Sequence, residues 1–86
     1  MTDEEKAVEV SKILAKWSPV GESQATAIGL IDYDVEAEDI LWSMKLHGGS
    51  VKRAVSEVLQ QAFLIDLDKA ELDRYSREIE AVLTKR

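Results

Sequence analysis

Residues 48–63 read GGSVKRAVSEVLQQAF and contain the clearest helical pattern of the chain. Two glycines end the preceding segment, and Ser50 follows as an N-cap whose side chain can accept a hydrogen bond from the next turn. Apolar residues then recur every three or four positions, which places them on one helical face. They are Val51, Ala54, Val55, Val58, Leu59, Ala62 and Phe63. The pattern predicts an amphipathic helix that packs this face against other elements.

A first helix is predicted near the start of the chain. Thr2 and Glu5 have the spacing of a capping box, in which each residue can bond to the other's backbone. The helix should run from about residue 3 to Trp17, because Pro19 and Gly21 follow and both interrupt helices. Its apolar positions are Ala7, Val10, Ile13, Leu14 and Trp17.

Two further helices complete the prediction. Asp32 or Asp34 can cap a second helix that ends at Gly48, and Asp68 with Glu71 forms another capping box that opens a fourth helix. Residues 22–33 are an apolar connection that could be a short helix, an extended segment or a packed loop. The chain is therefore expected to be all-α, a compact bundle of about four helices in a single domain of residues 1–86.

Composition excludes several classes of protein. The 86 residues include no cysteine, which rules out disulfides, thiolate catalysis and cysteine-based zinc sites. The net charge is −6, from 17 acidic and 11 basic residues, and this excess opposes nucleic-acid binding. The acidic start lacks a signal-peptide core and no later run approaches the ~18 apolar residues of a membrane span. We therefore expect a cytoplasmic protein with no cofactor, no nucleic-acid partner and no membrane partner.

The charges are distributed unevenly. Six acidic residues and no basic one lie between Glu22 and Asp39, whereas three basic residues and no acidic one lie between Lys45 and Arg53. An acidic block of this kind would steer a basic partner toward the start of the second helix.

No catalytic or metal site is predicted. Asp39, Ser43 and His47 share one stripe of the second helix, but the serine lies in the middle, whereas a working triad has the histidine there. Asp39 and His47 are about 12 Å apart along the helix, too far for a hydrogen bond. Glu36 and Asp39 could begin a metal site, but His47 lies roughly 16 Å from Glu36. We expect a protein that is not an enzyme.

The second helix is apolar on two faces. One face carries Ala37, Ile40, Leu41 and Met44, and Val35, Trp42 and Leu46 lie on nearly the opposite side. Either residues 25–31 fold over Trp42, or this side is exposed and binds a protein partner or a second copy of the chain. Tryptophan is a preferred anchor at interfaces, so Val35, Trp42 and Leu46 are the candidate partner-binding residues.

A second candidate site surrounds the glycine turn. Gly49, Ser50, Lys52 and Arg53 combine free backbone N–H groups with two cations at a helix start, which suits a phosphate or a carboxylate. The acids of the second helix should lie some 18 Å away and so should not neutralise these cations. The alternative is an ordinary capped helix with solvated charges.

Three segments resemble the YugE-like family of small bacterial proteins. They are WSPVG at residues 17–21, the pattern YxxExxDI at residues 33–40, and the apolar pair of helices around Phe63. The resemblance covers roughly residues 10–83, and the turn at residues 48–50 is not part of it. It implies a small helical fold, and it identifies no active residues because the family is uncharacterised.

The function expected from these features is a non-catalytic protein-interaction module, such as an adaptor, a regulator or an immunity-like protein, that binds through the second helix. The alternative is a carrier protein with a phosphopantetheine arm on Ser50, because residues 48–51 are similar to the Gly-Gly-x-Ser-Leu of peptidyl carrier domains. This chain departs from that motif, since Gly49 directly precedes Ser50. Nucleic-acid binding through Lys45, Lys52 and Arg53 ranks lower because the net charge opposes it.

Overall fold

The computed structural model describes residues 2–19, 21, 33–64 and 66–84. Within these ranges it has no strand and four α-helices, which are α1 (Asp3–Trp17), α2 (Asp34–His47), α3 (Val51–Phe63) and α4 (Lys69–Leu83). The prediction of an all-α bundle of about four helices is confirmed. None of these four helices combines the length and the apolar content that crossing a membrane requires. The connection at residues 22–32, whose conformation the sequence left open, lies outside the described residues.

Three of the four predicted N-caps are confirmed. Thr2 accepts a hydrogen bond from the backbone N–H of Glu5 at 3.2 Å. Ser50 accepts one from the N–H of Arg53 at 3.4 Å, and Asp68 accepts two from the first turn of α4 at 2.8 and 3.1 Å. Each side chain satisfies backbone donors that have no partner within the helix, which is why these helices begin where the sequence indicates.

The predicted cap of α2 is wrong. Tyr33 is the N-cap residue and makes no capping bond with its side chain, while Asp34 is already the first residue of the helix. The Asp34 carboxylate instead accepts a hydrogen bond from the hydroxyl of Ser11 in α1 at 2.7 Å. An acid in the first turn still interacts favourably with the helix dipole. Asp32, the other predicted cap, lies outside the described residues.

The four helices form a closed ring. α1 packs against α2 and α4, and α3 packs against the same two helices, whereas the backbones of the diagonal pairs of described helices do not approach each other closely. An ion pair joins Asp3 at the start of α1 to Lys45 near the end of α2, and the bond from Ser11 to Asp34 lies toward the other end. These contacts show that α1 and α2 are antiparallel, as expected for neighbours in a bundle.

Each helix contributes at least one fully buried large side chain to the core. Leu14, Ile40, Leu59 and Ile79 all have 0% exposure, and burying a side chain of this size stabilises the fold by roughly 1.5–3 kcal/mol. The predicted apolar face of α3 is buried or half-buried with one exception. Ala62 is exposed, because it lies beside a cleft between α2 and α3.

Trp17 joins the end of α1 to the start of α4. Its indole stacks on the ring of Tyr75, with centroids 5.1 Å apart and 13° between the planes. The indole Nε1–H donates to a carboxylate oxygen of Glu71 at 2.9 Å. The sequence predicted that Glu71 would complete a capping box with Asp68, but its carboxylate instead accepts the bond from Trp17. This contact closes the ring between α1 and α4.

A substitution at the end of α3 should stabilise the protein. Leu64 terminates α3 with φ 54° and ψ 44°, a left-handed conformation, and its side chain is 89% exposed. A Cβ atom makes this conformation costly by roughly 1–2 kcal/mol, and glycine avoids that cost. We expect Leu64→Gly to raise the free energy of unfolding by about 1 kcal/mol in a urea titration. Leu64→Ala retains the Cβ and should give no comparable gain; equal values for the two variants would contradict the interpretation.

Candidate functional site

The most unusual surface of the molecule lies on α2. Val35, Trp42 and Leu46 are 65%, 61% and 60% exposed, and we call these three residues the α2 outer face. On the opposite side of the same helix, Ala37 and Ile40 are fully buried in the core. The helix is therefore apolar toward the core and apolar toward solvent. The predicted cover for Trp42, residues 25–31, lies outside the described residues, and the indole itself is a surface group.

A hollow between α1 and α2 borders one side of the outer face. Glu4 and Ala7 of α1 and Glu38, Leu41 and Trp42 of α2 contribute to its walls, and its volume is about 340 Å³. We call it the α1–α2 hollow. Its floor is apolar and its rim carries carboxylates, so it suits a group with an alkyl stem and a positive head.

A cleft between α2 and α3 borders the other side. Trp42 and Leu46 of α2 face Val58 and Ala62 of α3 across about 440 Å³, and we call this the α2–α3 cleft. Asp39 and Trp42 are the two residues that line both the cleft and the α1–α2 hollow. These two residues lie between the hollow and the cleft, and we call them the crest. The crest places the carboxylate of Asp39 beside the indole of Trp42.

The electrostatics around this crest are acidic. Lys45 borders the α1–α2 hollow, but it forms an ion pair with Asp3. The hydrogen bond from Lys45 and its positive charge hold the pKa of Asp3 below its usual value. Glu4, Glu38 and Asp39 form no ion pair with any residue in the described ranges. The uncompensated charges next to the outer face are therefore negative.

Among the described residues, the candidate triad and metal pair on α2 are not assembled into a site. Ser43 and His47 line the α2–α3 cleft with Asp39, but no hydrogen bond joins any two of these three side chains. Glu36 is buried at 7% exposure whereas Asp39 is exposed, so the two acids do not face a common ion. Across the described ranges, no cluster of three or more His, Cys, Asp or Glu side chains could hold a metal.

The candidate anion site at the turn between α2 and α3 has the expected backbone. Gly48 and Gly49 have φ values of 65° and 82°, a conformation that favours glycine, and Ser50 follows as an exposed residue. The hydroxyl of Ser50 is the helix cap. The backbone N–H of Arg53 is therefore already bonded to this hydroxyl and is not free to donate to an added anion.

Both cations of this site have acids nearby, and neither of these acids comes from α2. Lys52 lies 3.6 Å from a carboxylate oxygen of Asp73 in α4, and the Nε of Arg53 lies 3.0 Å from Glu57. The prediction considered only α2 and α3, whereas α4 packs against α3 and supplies Asp73. Gly49, Ser50, Lys52 and Arg53 are therefore adjacent, but both cations are already paired.

Sequence analysis missed the contribution of α1 to the surface around Trp42. Glu4 and Ala7 reach the α1–α2 hollow because α1 and α2 are antiparallel neighbours, which no local pattern encodes. The role of Asp39 on the crest was also missed, although its position between Val35 and Trp42 was readable from helical spacing.

A comparison of this chain with models of protein families, with curated proteins and with solved structures finds no match. The resemblance to the YugE-like family therefore stays a prediction.

The two tryptophans should differ sharply in their effect on stability. Trp17 is 7% exposed and Trp42 is 61% exposed. We expect Trp17→Ala to lower the free energy of unfolding by ~3–5 kcal/mol, as a large buried side chain should, and Trp42→Ala to lower it by only about 1 kcal/mol. Urea titrations followed by circular dichroism measure both. Equal losses would show that Trp42 belongs to the core.

Proposed function

We propose that this chain is a non-catalytic protein-interaction module that binds a protein partner through the α2 outer face. The observation that carries the proposal is the exposure of Val35, Trp42 and Leu46, each at least 60%, on a helix that buries Ala37 and Ile40 completely on its opposite side. Several exposed apolar side chains aligned on one side of a helix are typical of a surface that another molecule covers. Adaptors, regulators and immunity-like proteins have this general character.

The core of the bundle does not require the α2 outer face, which supports an interaction role. A bundle helix needs a single apolar face to join its core, and α2 already has one in Ala37 and Ile40. The outer face runs from Val35 to Leu46, about 16 Å along the helix. Isolated exposed apolar residues are ordinary on protein surfaces, but an aligned set that includes a tryptophan is typical of an interface anchor.

The proposal includes no chemical step. His47 is the one histidine of the chain, and it lies at the end of a stripe rather than between Ser43 and Asp39, so Asp39 cannot orient it as a general base for Ser43. The module is proposed to act in the cytoplasm, with neither nucleic acid nor membrane as a partner, because the acidic charge and the lack of cysteine are typical of such proteins.

Site-specific photo-crosslinking in the source cell tests the proposal. We expect p-benzoyl-phenylalanine at Leu46 to give a discrete protein adduct, because that position lies within the proposed contact. The same group at Val8, which is 50% exposed on α1, is the matched control and should not give that adduct. Denaturing electrophoresis and mass spectrometry identify the product, and an adduct of twice the 9.6 kDa chain mass would show a homodimer. Identical adducts at both positions, or none at Leu46, would contradict the proposal.

The carrier alternative retains one favourable observation, namely that Ser50 is exposed at the start of α3. We expect incubation with coenzyme A and a broad-specificity phosphopantetheinyl transferase to leave the mass of the protein unchanged, because Gly49 directly precedes Ser50 and the carrier motif is broken. Intact-mass spectrometry measures this, with a known carrier domain as the positive control. A mass gain that disappears in Ser50→Ala would promote the carrier function.

A further inference from the structure

The outer face of α2 has the spacing of a helix-pairing seam. Val35, Asp39, Trp42 and Leu46 follow one another at intervals of four, three and four residues, which is the a/d repeat of coiled coils. All four residues are exposed, and we call them the α2 seam. Residues at this spacing form a narrow stripe that a second helix can cover over about three turns.

One position of the seam carries a charge. Asp39 lies between Val35 and Trp42, and it has no ion pair with any residue that the structure describes. Glu4 and Glu38 border the adjacent α1–α2 hollow and are likewise unpaired within the described ranges. A helix that covers the seam would remove Asp39 from water. A buried carboxylate is tolerated when a cation compensates it, so the partner must supply one.

A second copy of this chain does not meet that requirement. Two copies that pair through the same face bring a second Asp39 and no free cation to the seam, and the neighbouring Glu4 and Glu38 add to the repulsion. Lys45, the cation that borders the α1–α2 hollow, is held by Asp3. The apolar residues of the seam favour pairing with a helix. The acidic residues oppose pairing with a second copy of this chain.

We propose that the occupant of the α2 seam is an amphipathic helix of another protein that presents a lysine or arginine to Asp39 between apolar residues at a/d spacing. This inference rests on the proposed function and adds the chemistry of the partner. An arginine fits best, because its guanidinium can pair with the Asp39 carboxylate while lying against the ring of Trp42. Its alkyl stem would occupy the α1–α2 hollow, and the carboxylates of Glu4 and Glu38 beside that hollow would attract the positive charge of the guanidinium.

Selection from a displayed library of randomised helical peptides, each long enough to cover α2, tests this proposal. The baits are the natural chain, Asp39→Lys, Trp42→Ala and a control, Glu80→Lys, which reverses an exposed charge on α4. Circular dichroism first establishes that all four baits fold. We expect the natural chain and Glu80→Lys to enrich peptides with Lys or Arg between apolar a/d positions, and Asp39→Lys to enrich Asp or Glu there.

Binding constants then measure the contribution of each seam residue. We expect the best basic peptide to lose about thirtyfold in affinity on Trp42→Ala and about tenfold on Asp39→Lys, and nothing on Glu80→Lys. The loss on Asp39→Lys should shrink at high salt, because added ions screen charges at a surface.

The failures separate the partner's chemistry from the function itself. Peptides that need Trp42 but show no basic preference, or that ignore Asp39→Lys, overturn the basic partner and leave the α2 outer face as a binding surface. An empty selection, or a Leu46 crosslink to a second copy of the chain, also overturns it. Peptides unaffected by Trp42→Ala, together with no adduct at Leu46, contradict the proposed function as well.

Discussion

The contact that closes the helical ring is the stack of Trp17 on Tyr75, with its hydrogen bond to Glu71. It joins the last residue of α1 to the first half of α4, across 54 residues of sequence for the bond to Glu71. Because only neighbouring helices of the described bundle bring their backbones close together, each helix packs mainly against its two neighbours. With α1 held against α4, α2 packs between α1 and α3. The side of α2 that contacts neither of these helices faces solvent. The exposed seam of α2 follows from this closure.

Local signals in the sequence were sufficient for most of the fold. The caps at Thr2, Ser50 and Asp68 bind backbone groups within a few residues of themselves, so their spacing alone places the starts of three helices. The start of α2 was predicted less well, because the Asp34 carboxylate bonds to Ser11, which is 23 residues away. The hydrogen bond from Trp17 to Glu71 is a second distant contact, and it is formed in place of the local capping box between Glu71 and Asp68. Errors arose where a side chain had both a local and a distant partner.

The candidate site divides in the same way. The outward position of Val35, Trp42 and Leu46 follows from helical periodicity, and the structure places all three in solvent. The α1–α2 hollow and the α2–α3 cleft could not be predicted, since they depend on which helices lie beside α2. The pairing of Lys52 with Asp73 was missed for the same reason, and it weakens the case for an anion at the glycine turn.

The ring also bears on the order in which the chain folds. The turn between α2 and α3 is three residues long, and α3 and α4 are joined by residues 64–68, so these pairs form with little loss of loop entropy. The contact of α1 with α4 must close most of the chain into one loop, and such distant contacts are slow to form. Helices α2 to α4 are therefore expected to make up the early folding nucleus, with Trp17 docking late. Before α1 docks, the apolar faces of α2 and α4 that it covers are exposed. The ring of Tyr75 is part of the surface that Trp17 then contacts.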